Sequence, residues 1–402
     1  MHLLHSTFRL AFLWACHLAI FAAAAPGVSD PVYHERPLTA WLDDLSVGRE
    51  LDPTKQNLAL DAVKQIGTNA LPTLLQRLQF VDAGDPAATR LKRAQARLGF
   101  EALGAQAKPA IPRLINLIRD ETFFRGADTA LAAAAALRAV GSDAIPALSN
   151  SLYRGAPSER YGAALALSYF PASSSLVAPP LIAALKDNDN RVRARAADSL
   201  GAIPGQDEKI IPALIATLSD SSSVVRLAAA GSLREAGSAA KSAIPALAGL
   251  AARDPEDTVR FSATQSLLAI GPDDAVAALS PHLNRPQTFA TAARALARFG
   301  VRAEPVIPAL VKAFKLYDLE SATAAGLALR AIGPKALTAL IQNMADPDPQ
   351  VKYLTVRTIS MFGKEASSAI PSLTQAAKSS DEAVRDAAIA TLQQLGVAVP
   401  NP

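Results

Sequence analysis

Apolar residues along most of this chain recur at helical rather than strand spacing, in short blocks separated by polar turns. The phrase apolar-Pro-x-Leu returns at Pro72, Pro112, Pro146, Pro179, Pro212, Pro245, Pro308 and Pro371, while Ala277 and Thr338 hold the same slot without proline. Successive spacings are 40, 34, 33, 33, 33, 32, 31, 30 and 33 residues. A fixed period of this size is the signature of a repeat architecture. The residues two and six places beyond the slot are apolar, as in Leu114 and Ile118, Leu214 and Leu218, Leu310 and Phe314, and Leu340 and Met344. That spacing predicts a helix with one buried face. Proline suits its first turn, where backbone N–H groups have no partner within the helix.

A polar turn follows, and then a second pattern. Asp187, Asp220, Asp254 and Asp346 each precede a Val-Arg or Val-Lys pair, namely Val192-Arg193, Val225-Arg226, Val259-Arg260 and Val351-Lys352. From each valine, apolar residues recur four apart, as in Val192, Ala196 and Leu200, which predicts a second amphipathic helix. Most second helices run into a glycine: Gly67, Gly104, Gly141, Gly237, Gly271, Gly300, Gly333, Gly363 or Gly396. A left-handed closing residue is expected there. The unit is a helical hairpin. One so rich in alanine cannot bury its own apolar face and must stack on its neighbours. The predicted fold is all-α, an α-α superhelix of about eleven hairpins.

These residues resemble HEAT repeats, including the bacterial variety related to phycobilisome lyase repeats. The proline of the first helix, the turn aspartate and the Val-Arg opening of the second carry the resemblance, from Pro72 to Gly396. It implies a HEAT/armadillo-like solenoid whose second helices line the concave side. The segment Tyr33 to Leu45 (YHERPLTAWLDDL) looks like the start of exported bacterial HEAT-repeat proteins. With a helix from about Thr54 to Ile66 it is expected to form a degenerate capping pair, with Trp41 and Leu42 covering the edge of the stack.

Outside the repeats, Arg9 precedes an apolar run from Leu10 to Ala25 that ends in small residues. The run is short for a membrane span and matches a cleaved secretory signal. The expected organisation is a signal peptide over 1–24, an N-terminal segment over 25–71, the solenoid over 72–396 and a tail over 397–402. An exported, periplasmic or secreted protein without stable membrane insertion follows. Cleavage would remove the only cysteine, Cys16, with His2, His5 and His17, leaving His34 and His282. Without cysteine there is no disulfide, no thiol nucleophile and no cysteine-zinc site.

Composition narrows the function further. Half of the 402 residues are hydrophobic but only 5% are aromatic, so alanine and leucine build the core. A net charge of +4 is too small across this length to indicate nucleic-acid binding. The pairs Asp187/Arg193, Asp220/Arg226, Asp254/Arg260 and Asp346/Lys352 recur with the repeat, whereas an active site need occur once. They are read as structural, the aspartate holding turn donors and the basic residue bridging to the next layer. Asp187 to Asn190 (DNDN) lacks the glycine and distant glutamate of a calcium loop. His34-Glu35 is similar to one His-Glu pair of the iron-binding deoxyhypusine hydroxylases, a family that needs several, and His282 reads as a surface residue. No catalytic residue, cofactor site or metal site is identified.

What remains is the outward face of the second helices. Its first two thirds carry mixed signs at Asp61, Lys64, Glu101, Arg138, Asp198, Arg234 and Glu235. Later the same positions give Arg294, Arg298, Arg330 and Arg357, with no acid at the matching places. Guanidinium forks there suit carboxylate or phosphate. The expected function is a non-enzymatic scaffold that binds a protein or an extended acidic segment on its concave face. The alternative implied by family kinship is a lyase-like or metal-dependent role.

Overall fold

Pro72, Pro112, Pro146, Pro245 and Pro371 each stand at the first or second position of a helix, where a missing N–H costs no hydrogen bond. This is seen in a computed structural model that describes residues 30–45, 52–119, 127–205, 207–316 and 318–397. The expected signal peptide and Cys16 lie outside the described residues. Two prolines depart from the rule. Pro179 and Pro212 lie inside the helices Ser174–Ala184 and Asp207–Thr217. In the latter, Asp207 and Glu208 in the first turn complement the helix dipole and favour an earlier start. Where the slot itself lacks proline, Pro272 and Pro334 open the helix a turn earlier, directly after Gly271 and Gly333.

Two compact units divide the chain, Met1–Phe170 and Pro171–Pro402. In the first, an antiparallel ribbon pairs Val32–Tyr33 with Arg36–Pro37 and leads into the helices Leu38–Asp43 and Pro53–Ile66. Three hairpins follow: Leu71–Gln79 with Pro86–Leu103, Ile111–Ile118 with Ala127–Val140, and Ile145–Arg154 with Pro157–Leu167. The second unit holds seven. Its second helices are Asn190–Gly201, Ser223–Glu235, Asp257–Ile270, Pro286–Ala297, Leu319–Ile332, Pro349–Ser360 and Glu382–Gln394. With the N-terminal pair, the described residues form eleven hairpins. Within each unit, hairpins stack in sequence order, second helix against second helix. That is the all-α solenoid arrangement.

The core follows the sequence period. Ala196, Ala229, Ala263, Ala292 and Ala325 are fully buried, and so are Leu233, Leu267, Leu296 and Leu329 one turn further on. Burying each leucine contributes roughly 2 kcal/mol. Small residues bring backbones together: Ser232 Oγ donates to Ala197 O at 2.9 Å, and Ser266 Oγ to Ala230 O at 2.7 Å, both across successive second helices. At Gly162 a Cβ would stand 2.3 Å from the carbonyl oxygen of Ile118, so no side chain fits there. Of the expected closing glycines, Gly271 is the exception. Its φ of −178° is extended backbone, whereas Gly333, also followed at once by a helix-opening proline, keeps a φ of 94°.

Sequence patterning did not anticipate the ribbon, whose two central residues are His34 and Glu35. It seats the N-terminal cap: Trp41 Nε1 donates to Tyr33 O at 3.1 Å, and Arg36 lies 4.4 Å from the Trp41 ring centre while pairing with Asp44 at 2.6 Å. Leu38, Leu42 and Leu45 are fully buried. Buried Arg77 then ties the cap to the next hairpin through Thr39 O at 2.8 Å and Asp43 at 2.9 Å.

Candidate functional site

The repeating Asp/Arg residues form a ladder at the turn edge of the second unit. Each turn aspartate accepts from the backbone N–H two residues on: Asp187 from Asp189 at 2.8 Å, Asp220 from Ser222 at 2.8 Å, Asp254 from Glu256 at 3.0 Å and Asp346 from Asp348 at 3.0 Å. Arg193 and Arg226 each reach back and forward. Arg193 Nη1 donates to Asp187 O at 2.8 Å, while its Nε and Nη2 meet the Asp220 carboxylate at 2.7 and 2.8 Å. Arg226 repeats the pattern with Asp220 O and the Asp254 carboxylate. Burial alone would raise the Asp220 and Asp254 carboxyls. The facing guanidinium groups and the turn N–H donors outweigh it and hold both below the ordinary range.

The ladder stops at Arg260. The next turn is the segment Ser280–Asn284, which offers no aspartate, and Arg260 pairs with Asp257 of its own helix instead. Further along, Asp346 takes Lys315 at 3.5 Å, and Lys352 makes no ion pair to a described residue. His282 sits in the substituted turn and differs from the surface position expected for it. It is half-buried, with Nδ1 enclosed and no described hydrogen-bond partner. Burial, then Arg253 and Arg285, lowers its pKa from the ordinary histidine value.

At the same point the second helices part. Asp257–Ile270 and Pro286–Ala297 touch less than any other successive second helices in this unit, and Pro286–Ala297 packs on Ile244–Arg253 instead. Thr291 Oγ1 donates to Ala252 O at 2.5 Å and fixes that displaced seat. A groove of about 220 Å³ opens between the parted helices, lined by Arg260, Arg294, Arg298, Phe261, Thr264 and Thr291, with Asp257 its one carboxylate. A second groove of about 440 Å³ lies on the other side of Phe261, beside Leu227 and Arg234.

The four arginines singled out by spacing do not form one row. Arg294 and Arg298 share the first groove, whereas Arg330 and Arg357 do not line it. Arg298 lies 4.3 Å from the Phe261 ring centre and makes no ion pair to a described residue. Arg294 pairs with Glu320 at 2.7 Å, and Arg330 reaches Glu365 at 3.1 Å and Met361 O at 2.8 Å. Arg357 donates to the Tyr353 hydroxyl at 3.1 Å. No acid stands at the matching helix positions, as expected from the sequence, yet two of these arginines meet acids that come from elsewhere. Glu320 comes from the first turn of the next second helix and Glu365 from the segment Gly363–Ala369, positions that counting along one helix omits.

Earlier in the chain the mixed charges also pair, within a helix or between neighbouring ones. Arg138 lies 3.9 Å from Glu101, Arg195 is 3.7 Å from Asp198, and Arg234 is 3.1 Å from Glu235. Phe261 and Leu227 were missed by a search for charge alone, yet an aromatic at an outward position was legible in a chain so poor in aromatics. Among the described residues, no group of three or more His, Asp or Glu is placed to hold a metal ion. Nor is any single described helix long and apolar enough to cross a membrane.

Comparison with known proteins agrees with this architecture. A family model described as HEAT repeats matches residues 178–268, 211–290 and 337–400. No curated protein matches the chain. Among solved structures, the karyopherin Kap121p bound to the SUMO protease Ulp1p is similar with a TM-score of 0.54 and 17% identity, over 89% of this chain and 44% of that one. Kap121p bound to the extreme C-terminus of the protein phosphatase Cdc14p gives 0.53 and 17%, with the same coverage of 89% and 44%. Kap121p bound to RanGTP gives 0.52 and 17%, again over 89% and 44%. At such identity the likeness is one of fold, and the chain spans less than half the length of these structures.

Proposed function

From a chain that carries HEAT repeats, we propose a non-enzymatic scaffold, exported to the periplasm or beyond, whose second-helix face binds a protein partner through an extended acidic segment. The observation that carries this reading is the groove of Arg260, Arg294 and Arg298 on that face, where three guanidinium groups converge and the two carboxylates they meet, Asp257 and Glu320, are both exposed. Arginine forks take carboxylates in paired hydrogen bonds. The similar karyopherin structures were solved with protein partners, which fits a fold that presents a long surface to another chain. Export rests on the positive start and apolar run at Arg9 to Ala25.

Crosslinking in the native compartment followed by mass spectrometry identifies the partner. Replacing Arg294, Arg298, Arg330 and Arg357 together by glutamate is expected to abolish its recovery, while Arg191→Glu, at the turn edge, leaves it intact. Equal recovery from both variants rejects the second-helix face. N-terminal sequencing of the mature protein tests export, and a retained Met1 rejects it.

A further inference from the structure

We infer that the groove of Arg260, Arg294 and Arg298 takes a carboxylate side chain of an acidic peptide, and that an apolar residue beside that carboxylate seats against Leu227 and Phe261. The inference rests on the protein-binding reading and gives its partner a chemistry.

The ladder shows what belongs at this place. Arg193 and Arg226 each receive a carboxylate from the following layer, at 2.7 and 2.6 Å. Arg260 is the next arginine in the series, but its layer supplies the Ser280–Asn284 turn in place of an aspartate. Its substitute, Asp257, is almost fully exposed, so that pair is screened by water and exchanges readily. An arriving carboxylate thus meets a guanidinium without breaking a buried pair.

The surrounding groups extend the argument from one charge to a peptide. Arg298 stands over the Phe261 ring and makes no ion pair to a described residue, and Arg294 pairs with exposed Glu320. Phe261 and Leu227 are 48% and 38% exposed, and both line the adjoining groove. Covering two such side chains is favourable in proportion to the apolar area removed from water. A free phosphate would use the arginines and leave this apolar wall wet. Nucleic acid asks for a far broader basic surface than one groove on a chain of net charge +4. An acidic residue next to a leucine-like one satisfies both halves.

The test uses the full chain and a fluorescein-labelled, end-blocked peptide of sequence Gly-Ser-Glu-Leu-Glu-Ser-Gly, read by fluorescence anisotropy. Its Gln-for-Glu counterpart is expected to bind at least tenfold more weakly, as is the Glu peptide to Arg294→Gln/Arg298→Gln. Phe261→Ser should weaken binding several-fold, and Arg191→Gln, at the turn edge, should leave it unchanged. Arg294, Arg298 and Arg357 are exposed and Arg330 is half-buried, and thermal unfolding of each variant confirms an intact fold. Absence of binding overturns the inference, and so does displacement of the peptide by an equal concentration of inorganic phosphate. If binding ignores the groove variants but falls with Arg330→Gln/Arg357→Gln, the groove is rejected and the second-helix face survives. If binding ignores both pairs, both readings fall.

Discussion

Arg226 grips Asp254 across the boundary between two hairpins, with Nε–Oδ2 2.6 Å and Nη2–Oδ1 2.9 Å, while its Nη1 holds the carbonyl of Asp220 in its own turn at 2.8 Å. One side chain therefore closes its own turn and clamps the next. Both residues are buried, at 9% and 6% exposure, so neither charge has water to fall back on. Asp254→Ala should cost about 3–5 kcal/mol, the usual penalty for orphaning a buried charge. The double change Arg226→Met/Asp254→Leu should cost less than that single one. A double-mutant cycle from urea unfolding measures the difference, and additive effects would show that no clamp exists.

Acid should loosen the same ladder. Hydrogen bonding from Arg191 holds the Asp189 carboxyl at about 2, and Asp220 and Asp254 are also held low. Folded values below the unfolded value of about 3.9 mean that the unfolded chain binds more protons as pH falls. The stabilisation is complete above the unfolded pKa and is lost as pH drops from about 4 toward the folded values. His282 adds a loss with the same sign at higher pH. Its lowered folded pKa makes protonation below about 6.5 favour the unfolded chain. Urea midpoints recorded between about pH 7 and pH 2.5 should fall in two stages. Asp254→Asn should shrink the acid stage, and His282→Gln the upper one.

Leu310 is fully buried in the first helix of its hairpin and Leu214 nearly so. Truncating either to alanine should cost about 2–5 kcal/mol, a lost transfer energy plus a cavity. Urea unfolding by circular dichroism gives the value. A loss under about 1 kcal/mol at both sites would mean that the layers do not depend on interdigitated leucines.

His34 and Glu35 occupy the two central positions of the N-terminal ribbon turn with φ of 47° and 60°. Both lie in the left-handed region, which asparagine and glycine tolerate best in two-residue hairpins. His34→Asn/Glu35→Gly should therefore stabilise the ribbon by about 1 kcal/mol. Trp41 fluorescence, sensitive to the Tyr33 hydrogen bond, reports the change during unfolding. A destabilised double variant would show that the His34 ring stacked edge-on against Tyr33 at 4.2 Å outweighs the backbone strain.

How far the sequence could be read depended on the range of the interaction. Ala196, Ala229 and Leu233 announce their burial by spacing alone, since a helix has one face to hide and the period repeats it. The substituted turn at Ser280–Asn284 was equally visible as a missing aspartate. Its consequence was not visible, because the parting of Asp257–Ile270 from Pro286–Ala297 depends on how one hairpin settles on another. The acids beside the arginines were hidden for a similar reason: Glu320 and Glu365 lie 26 and 35 residues from the arginines they meet.

By itself the sequence determined that paired helices repeat, where they start and end, and which stripe of each is apolar, because those follow from bonds and side-chain spacing within about ten residues. Tertiary structure alone decided which charges find partners, how the second helices part where the Asp/Arg ladder breaks and where Phe261 is left facing water between two grooves. Those outcomes depend on the contact between successive layers. There a displacement of one helix exchanges neighbours without changing any local pattern.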